Sequence, residues 1–372
     1  MQNAIRYFLN FSVIGVFLAM VLVNTGCEGP EGPAGKDGLD GADGNGTCGT
    51  CHSETATDVN LIFAQYDLSQ HNRGIVYEEE AGRIICGGCH SGDGFAEAAA
   101  LGQDDANSVA TSKISCKACH TIHKNYAMTD FGLRITSGFQ LRQTKANIDI
   151  GKGNLCAKCH QGRAFTRTVP DTISPTGTNS WSRFGPHYGT PANVYTMNGP
   201  YSIEGATTPL PSTNPHMGGT LFTNGCITCH MAKDEGTGTA HNPAVGGHSF
   251  LMPQANLAKI AACGNSGCHT AAEMSDASLT KQIAADIATY RRKLIDKGWI
   301  DTTQAVNEEF PKMAVLGEYF STPGGIKRTD MSKSDVEVTL NYLYVAKDRS
   351  NGVHNPNYIK AIVAQGLEYL NK

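Results

Sequence analysis

Two thiols three residues apart, followed at once by an imidazole, recur along this chain. The sets are Cys48, Cys51 and His52; Cys86, Cys89 and His90; Cys116, Cys119 and His120; Cys156, Cys159 and His160; and Cys226, Cys229 and His230. A sixth set, Cys263, Cys268 and His269, carries two extra residues between its thiols. Twelve of the thirteen cysteines are used in this way, so no pair is left for a structural disulfide. Zinc knuckles and redox dithiols also pair thiols, but neither calls for a histidine directly after the second one. Cys-x-x-Cys-His is the attachment signature of a c-type haem. Each thiol adds to one vinyl group, and the adjoining imidazole reaches the iron from one face. The expectation is six covalently bound c-type haems, with these twelve cysteines as attachment points and the six motif histidines as proximal iron ligands.

The opposite iron faces are assigned by subtraction. Of thirteen histidines, seven lie outside the motifs: His71, His123, His187, His216, His241, His248 and His354. Six haems with two imidazoles each need twelve, which leaves one spare. His241 is taken as the spare because His248 offers a similar position nearby. His123 follows His120 by three residues; on a helix both rings would project from one face. They could not bind opposite faces of one iron, because the macrocycle stands between them. His123 is therefore expected to serve a neighbouring haem. His187 and His216 sit in Gly/Pro loops that can deliver a ring without a helix behind it. Met217, Met231 and Met252 are the competing ligands and would raise the haem potential; with enough histidine present they are expected to pack instead.

On these residues the chain resembles the multihaem c-type cytochromes, the group that includes the ammonia-forming nitrite reductases and their electron-transfer relatives. The resemblance rests on the attachment motifs, Cys-His-Thr-Ile-His123, Gly-Pro-His187, Cys-Ile-Thr-Cys-His230-Met, Gly-His248-Ser-Phe and Val353-His354-Asn-Pro-Asn-Tyr358. It covers about residues 48–269 and the C-terminal helix. It implies haems stacked in parallel and perpendicular pairs, with two histidines on each iron where electrons merely pass. The chain departs from the reductases in having no Cys-x-x-Cys-Lys, which argues against their catalytic haem. The extracellular hexahaem cytochromes that polymerise into filaments are also similar in haem count.

The ends of the chain suggest where this chemistry takes place. Residues 1–26 read as an export signal: Arg6, an apolar run from Tyr7 to Val23, then small residues before Cys27. Thr25-Gly26-Cys27 resembles a bacterial lipoprotein signal, although Asn24 stands where leucine is usual, so Cys27 is the expected lipid attachment site. Glu28 follows, and the absence of aspartate there implies an outer-membrane address, on the periplasmic or cell-surface face. Residues 27–47 carry glycine at every third position from Gly29 to Gly44, as in collagen, and are read as a solvated tether. Extended at about 3.1 Å per residue, roughly eighteen residues would span about 55 Å.

The remaining expectations follow. The net charge of −4, with mixed signs and no basic run, excludes a nucleic-acid partner. The fold class is mainly α with long ordered loops, a multihaem cytochrome fold with a haem-filled core over residues 48–269. Residues 270–372 should form a C-terminal helical bundle packing on it. Helices are expected at 278–297 with Gly298 as stop, 303–320, 332–347 capped by Ser332 and Asp335, and 356–371. The expected function is electron transfer, not catalysis. Partners would be other redox proteins, the membrane through the lipid anchor, and an extracellular acceptor such as a metal oxide. The competing readings are a reductase of a small nitrogen or sulfur oxyanion with one open haem, and an oligomeric, filament-forming subunit.

Overall fold

The computed structural model describes residues 57–162, 186–187, 189–219, 222–232, 242–253, 257, 263, 268–300 and 331–372. The export signal, Cys27, the tether, Cys48, Cys51, His52, His241 and the helix expected at 303–320 lie outside these residues.

Helices dominate the described residues, and strand is confined to one antiparallel pair, β1 (Phe139–Gln140) and β2 (Asn147–Ile148), with Phe139 opposite Ile148. Most helices of the first half are short: α1 (Thr57–Leu68), α2 (Gln70–Arg73), α3 (Val76–Glu80), α4 (Ile84–His90), α5 (Gly92–Leu101), α6 (Cys116–Cys119) and α7 (Asn154–Ala157). Their brevity has local causes. Ser91 ends α4 and caps α5 by accepting from the Gly94 amide at 3.1 Å. Gly102 then closes α5 at φ 67°, a left-handed conformation that glycine adopts without strain. Three small apolar clusters hold this half, around Leu141 and Ile150, around Phe95 and Ala118, and around Val245 and Leu257.

Beyond α8 (Pro191–Tyr195), α9 (Cys226–His230) and α10 (Ala271–Asp276), three long helices share the largest apolar cluster: α11 (Ser278–Asp296), α12 (Lys333–Asp348) and α13 (Pro356–Leu370). In α11, Ile283, Tyr290 and Leu294 are buried at spacings of seven and four, one helical face. Gly298 follows at φ 67°, where the stop was expected. Ser332 and Asp335 form a reciprocal capping box at the start of α12, and Asn355 caps α13 with Pro356 at its first position. Gly366 lets α13 meet the Tyr290 ring, since a Cβ there would lie 2.1 Å from it. Helix α12 is buried on all sides from Val336 to Asp348, so it is the centre of this half.

Residues before 270 share this packing. Val194 and Ile203 belong to the same apolar cluster as α11 to α13, with Met197, Tyr201 and Leu210 packed against it. Side-chain amides join the pieces. Asn341 accepts from the Tyr201 amide and donates to the Tyr201 carbonyl, both at 2.7 Å. Gln365 accepts from the Ile203 amide at 2.9 Å and donates to the Thr208 carbonyl at 2.6 Å. These buried amides take the place of a neighbouring strand for a segment that has none. Among the described residues, no helix is long and apolar enough to cross a membrane.

Candidate functional site

The motifs fall on short helical turns. Cys86 to His90 lie in α4, Cys116 and Cys119 bound α6, Cys226 to His230 form α9, and Cys156 lies in α7 with Cys159 and His160 just beyond. On a helical turn residues three and four apart share a face, so both thiols and the following imidazole address one side. Gly88 inside the second motif is required by close approach: a Cβ there would lie 2.2 Å from the Asp104 carbonyl oxygen.

Five motif histidines face five of the non-motif histidines at nearly constant separation. Ring centres are 6.1 Å apart for His90 and His187, 6.2 Å for His120 and His248, and 6.1 Å for His160 and His71. They are 6.1 Å apart for His230 and His354 and 6.2 Å for His269 and His216. An imidazole nitrogen binds a metal at about 2 Å and lies about 1.1 Å from its ring centre, so two imidazoles on opposite sides of one metal have centres about 6.2 Å apart. The observed spacing matches that of two imidazoles on opposite sides of one metal. Among the described residues, no group of three or more His, Cys, Asp or Glu side chains is placed to hold a metal. Two opposed imidazoles beside two thiols would suit a metal whose remaining ligands come from a macrocycle. The residues present therefore fit a c-type haem at sites 2 to 6, numbered by motif in chain order.

His123 is not on a helix with His120. The chain leaves α6 at Cys119, His120 is extended at φ −113°, and His123 is left-handed at φ 60°. His120 is engaged with His248, and His123 lies 5.8 Å from the Tyr126 ring, stacked on it. The loop that presents His123 is tied by Asp130, whose carboxylate accepts from the Asn125 and Tyr126 amides at 2.8 Å. Met252 packs beside Val245 and Leu257, as expected, whereas Met217 is exposed instead of packed.

Each distal ring is delivered by a specific local device. His71 rides on α2, whose cap Ser69 accepts from the Asn72 amide. His248 sits in a tight loop closed by Gly246 donating to the Leu251 carbonyl, and its amide donates to the buried Gln65 side chain of α1 at 3.0 Å. His187 adopts φ 64° between Pro186 and residue 188. His216 is set by Asn214, which accepts from its amide and donates to the Tyr195 and His354 carbonyls. Outward ring nitrogens are held as well. Nδ1 lies 2.7 Å from the Phe131 carbonyl in His120, 2.6 Å from Val353 in His216 and 3.0 Å from Phe250 in His230. In His354 it lies 2.7 Å from the Asp348 carboxylate. These contacts fix which nitrogen is left to bind a metal.

Burial lowers the pKa of His71, His90, His216, His230 and His248, favouring the neutral form that ligates. His160 is pushed down to about 4, by burial first and then by His71, His230, His354 and His90 around it.

Site 4 adjoins three others. The Cys89 thiol of site 2 meets the Lys158 carbonyl at 3.8 Å and the Cys159 thiol meets the Gly88 carbonyl at 4.0 Å, while Cys226 of site 5 lies close enough to Cys156 to raise its pKa. Cys156 and Cys159 both also feel Cys119 of site 3. Burial raises Cys229 to about 11, and Cys263 of site 6 adds to this, so sites 5 and 6 adjoin. Phe250 links three pairs: its ring edge meets His71 at 5.0 Å and His248 at 6.1 Å, and its carbonyl faces His230. Asp348, Gln65, Asn214 and Phe250 had not been singled out from sequence. Phe250 and Asn214 stand beside His248 and His216 in the sequence, but each of the four gains its role only from the fold. No family model matches this chain, and no curated protein or solved structure matches it.

Proposed function

We propose that this chain is a hexahaem c-type cytochrome that transfers electrons along a branched row of haems. The observation that carries the reading is the set of five imidazole pairs, each joining a motif histidine to a distant one at 6.1 to 6.2 Å. Cys48, Cys51 and His52 would hold the sixth haem, and that part of the reading rests on their motif alone. Bound haem supplies a one-electron ferric–ferrous couple.

The chain's own residues supply placement. The thiols fix each macrocycle edge, the imidazole pairs fix each axis, and the carbonyls and carboxylate behind the rings fix tautomer and basicity. Filling both axial positions with histidine leaves nothing for substrate to bind, which favours a conduit over an oxyanion reductase. The thiol contacts make site 4 the junction: sites 2 and 3 meet it on one part of the path, and sites 5 and 6 continue beyond it. The helices α11 to α13, with residues 190–210, form a bundle that carries His354 and steadies His216. Export, lipidation at Cys27 and the glycine-rich tether would place the protein at the outer membrane, handing electrons between other redox proteins and an extracellular acceptor.

The test is the mature holoprotein. Mass spectrometry should find six haems and a lipid on Cys27, and the ferrous protein should bind no carbon monoxide. Binding at one haem would restore the reductase reading. A colourless protein, or fewer than five tetrapyrroles, would sink the proposal.

A further inference from the structure

The five imidazole pairs are not held alike. Where His120, His216 and His230 turn their outward nitrogen to a neutral main-chain carbonyl, His354 turns its own to a carboxylate. The Asp348 side chain is fully buried, at 0% exposure, at the last residue of α12. The loop from Arg349 to Val353 bends back through left-handed residues at Arg349, Asn351 and Gly352, which brings His354 round to the helix end it has just left. Ser350 makes the turn rigid. Its hydroxyl donates to Asp348 Oδ2, and the His354 amide donates to that hydroxyl at 3.2 Å. The same loop presents the Val353 carbonyl to His216. One short loop thus gives a charged partner to a ligand of site 5 and a neutral partner to a ligand of site 6.

Resting on the haem reading above, we infer that Asp348 is a positioning residue that lowers the reduction potential of the site 5 haem below that of sites 3 and 6. A carboxylate accepting from Nδ1–H leaves more electron density on Nε2, the atom that meets the iron. It also places a buried negative charge close to the metal. Both effects favour the ferric state, which carries one more positive charge than the ferrous. The proton stays on the shared Nδ1–H···Oδ1 contact, and one electron enters or leaves the iron. Buried charges interact far more strongly than exposed ones, so a single carboxylate is enough to set one haem apart from its neighbours. Site 5 lies between the junction and site 6, so a low potential there makes it a step that electrons must climb in one direction and descend in the other.

The experiment is a potentiometric titration of the full-length holoprotein followed by electron paramagnetic resonance, which resolves individual low-spin ferric haems. Asp348→Asn keeps the shape and removes the charge. It should move one wave upward and leave the others in place. Ser350→Ala removes a donor that competes for the carboxylate, and should move the same wave downward. Opposite shifts in one wave are not produced by general loosening of the fold. Haem content is counted first in each protein. If the wild type carries no haem, the underlying reading falls and this inference with it. If six are present and the wave is unmoved in both variants, or all six move together, the inference alone is overturned. Should Asp348→Asn fail to load haem, the sign of the Ser350→Ala shift decides.

Discussion

His71 and His160 face each other with ring centres 6.1 Å apart, although one stands on the single turn of α2 and the other follows α7. Nothing in the local sequence joins them. What brings them together is packing: the Phe250 ring on His71 at 5.0 Å, and the imidazoles of His230, His354 and His90 around His160. The opposed pair is the unit from which the proposed electron path is built, and it sets the terms of the first prediction.

Removing one distal imidazole should open one haem and no more. His248→Ala takes away the partner of His120 while leaving Cys116 and Cys119 to hold the macrocycle. One haem of the proposed six should become high-spin and bind carbon monoxide when ferrous. A stoichiometric titration followed in the visible spectrum counts it. Binding at none, or at several, would contradict the pairing.

The amide side chain of Asn341 is expected to be worth more than its size suggests. Asn341→Leu removes both of its hydrogen bonds to the Tyr201 main chain. At about 0.5–1.5 kcal/mol for each lost bond, the loss should be about 1–3 kcal/mol. Denaturant unfolding of the holoprotein, with an unchanged haem count, measures it.

Gly88→Ala should strike the second site in particular. The added methyl would sit 2.2 Å from a carbonyl oxygen, and backbone yields less readily than a side chain. A destabilisation at or above the upper end of the usual overpacking cost, about 3 kcal/mol, is expected. Peptide mass mapping should show reduced haem occupancy at Cys86 and Cys89, with the other sites loaded.

Asp130 gives the acid limb of the stability profile a definite sign. Burial would raise its pKa, but donors from Asn125 and Tyr126 outweigh burial and hold the carboxyl below its ordinary value. A depressed folded-state pKa contributes stability that is present above the unfolded value of about 4 and is lost as pH falls through the folded one. Asp130→Asn should therefore destabilise the protein at neutral pH and show a shallower loss below pH of about 4 than wild type. Thermal melts across that range decide it. A parallel offset at every pH would refute the role given to the charge.

The long C-terminal helices were legible because their cues are local: a seven-and-four apolar spacing in α11, a capping box at Ser332, and asparagine with proline ahead of α13. Counting suggested that non-motif histidines would oppose motif ones, and five of them do. The pairing was not legible, because each pair joins residues whose separation in the chain bears no relation to their meeting in space. The place of residues 190–210 within the C-terminal core was also hidden. Its signals are polar, the two amides Asn341 and Gln365, and a buried amide looks no different in sequence from an exposed one. That His120 and His123 do not share a helix has a comparable reason. The chain turns away at His120 to bond its amide at Thr121 to Gly132 and the Arg134 amide to Cys119, contacts made with residues a helix would never reach.

Phe250 carries a wider consequence. Its ring and its carbonyl together abut ligands of three separate sites, and its backbone is held at φ 56°. A substitution at this position cannot retune one centre in isolation; it would disturb three at once. Such a residue constrains how the molecule can drift over generations: its neighbours are free to adapt one by one, whereas this keystone must be inherited intact or replaced together with its surroundings.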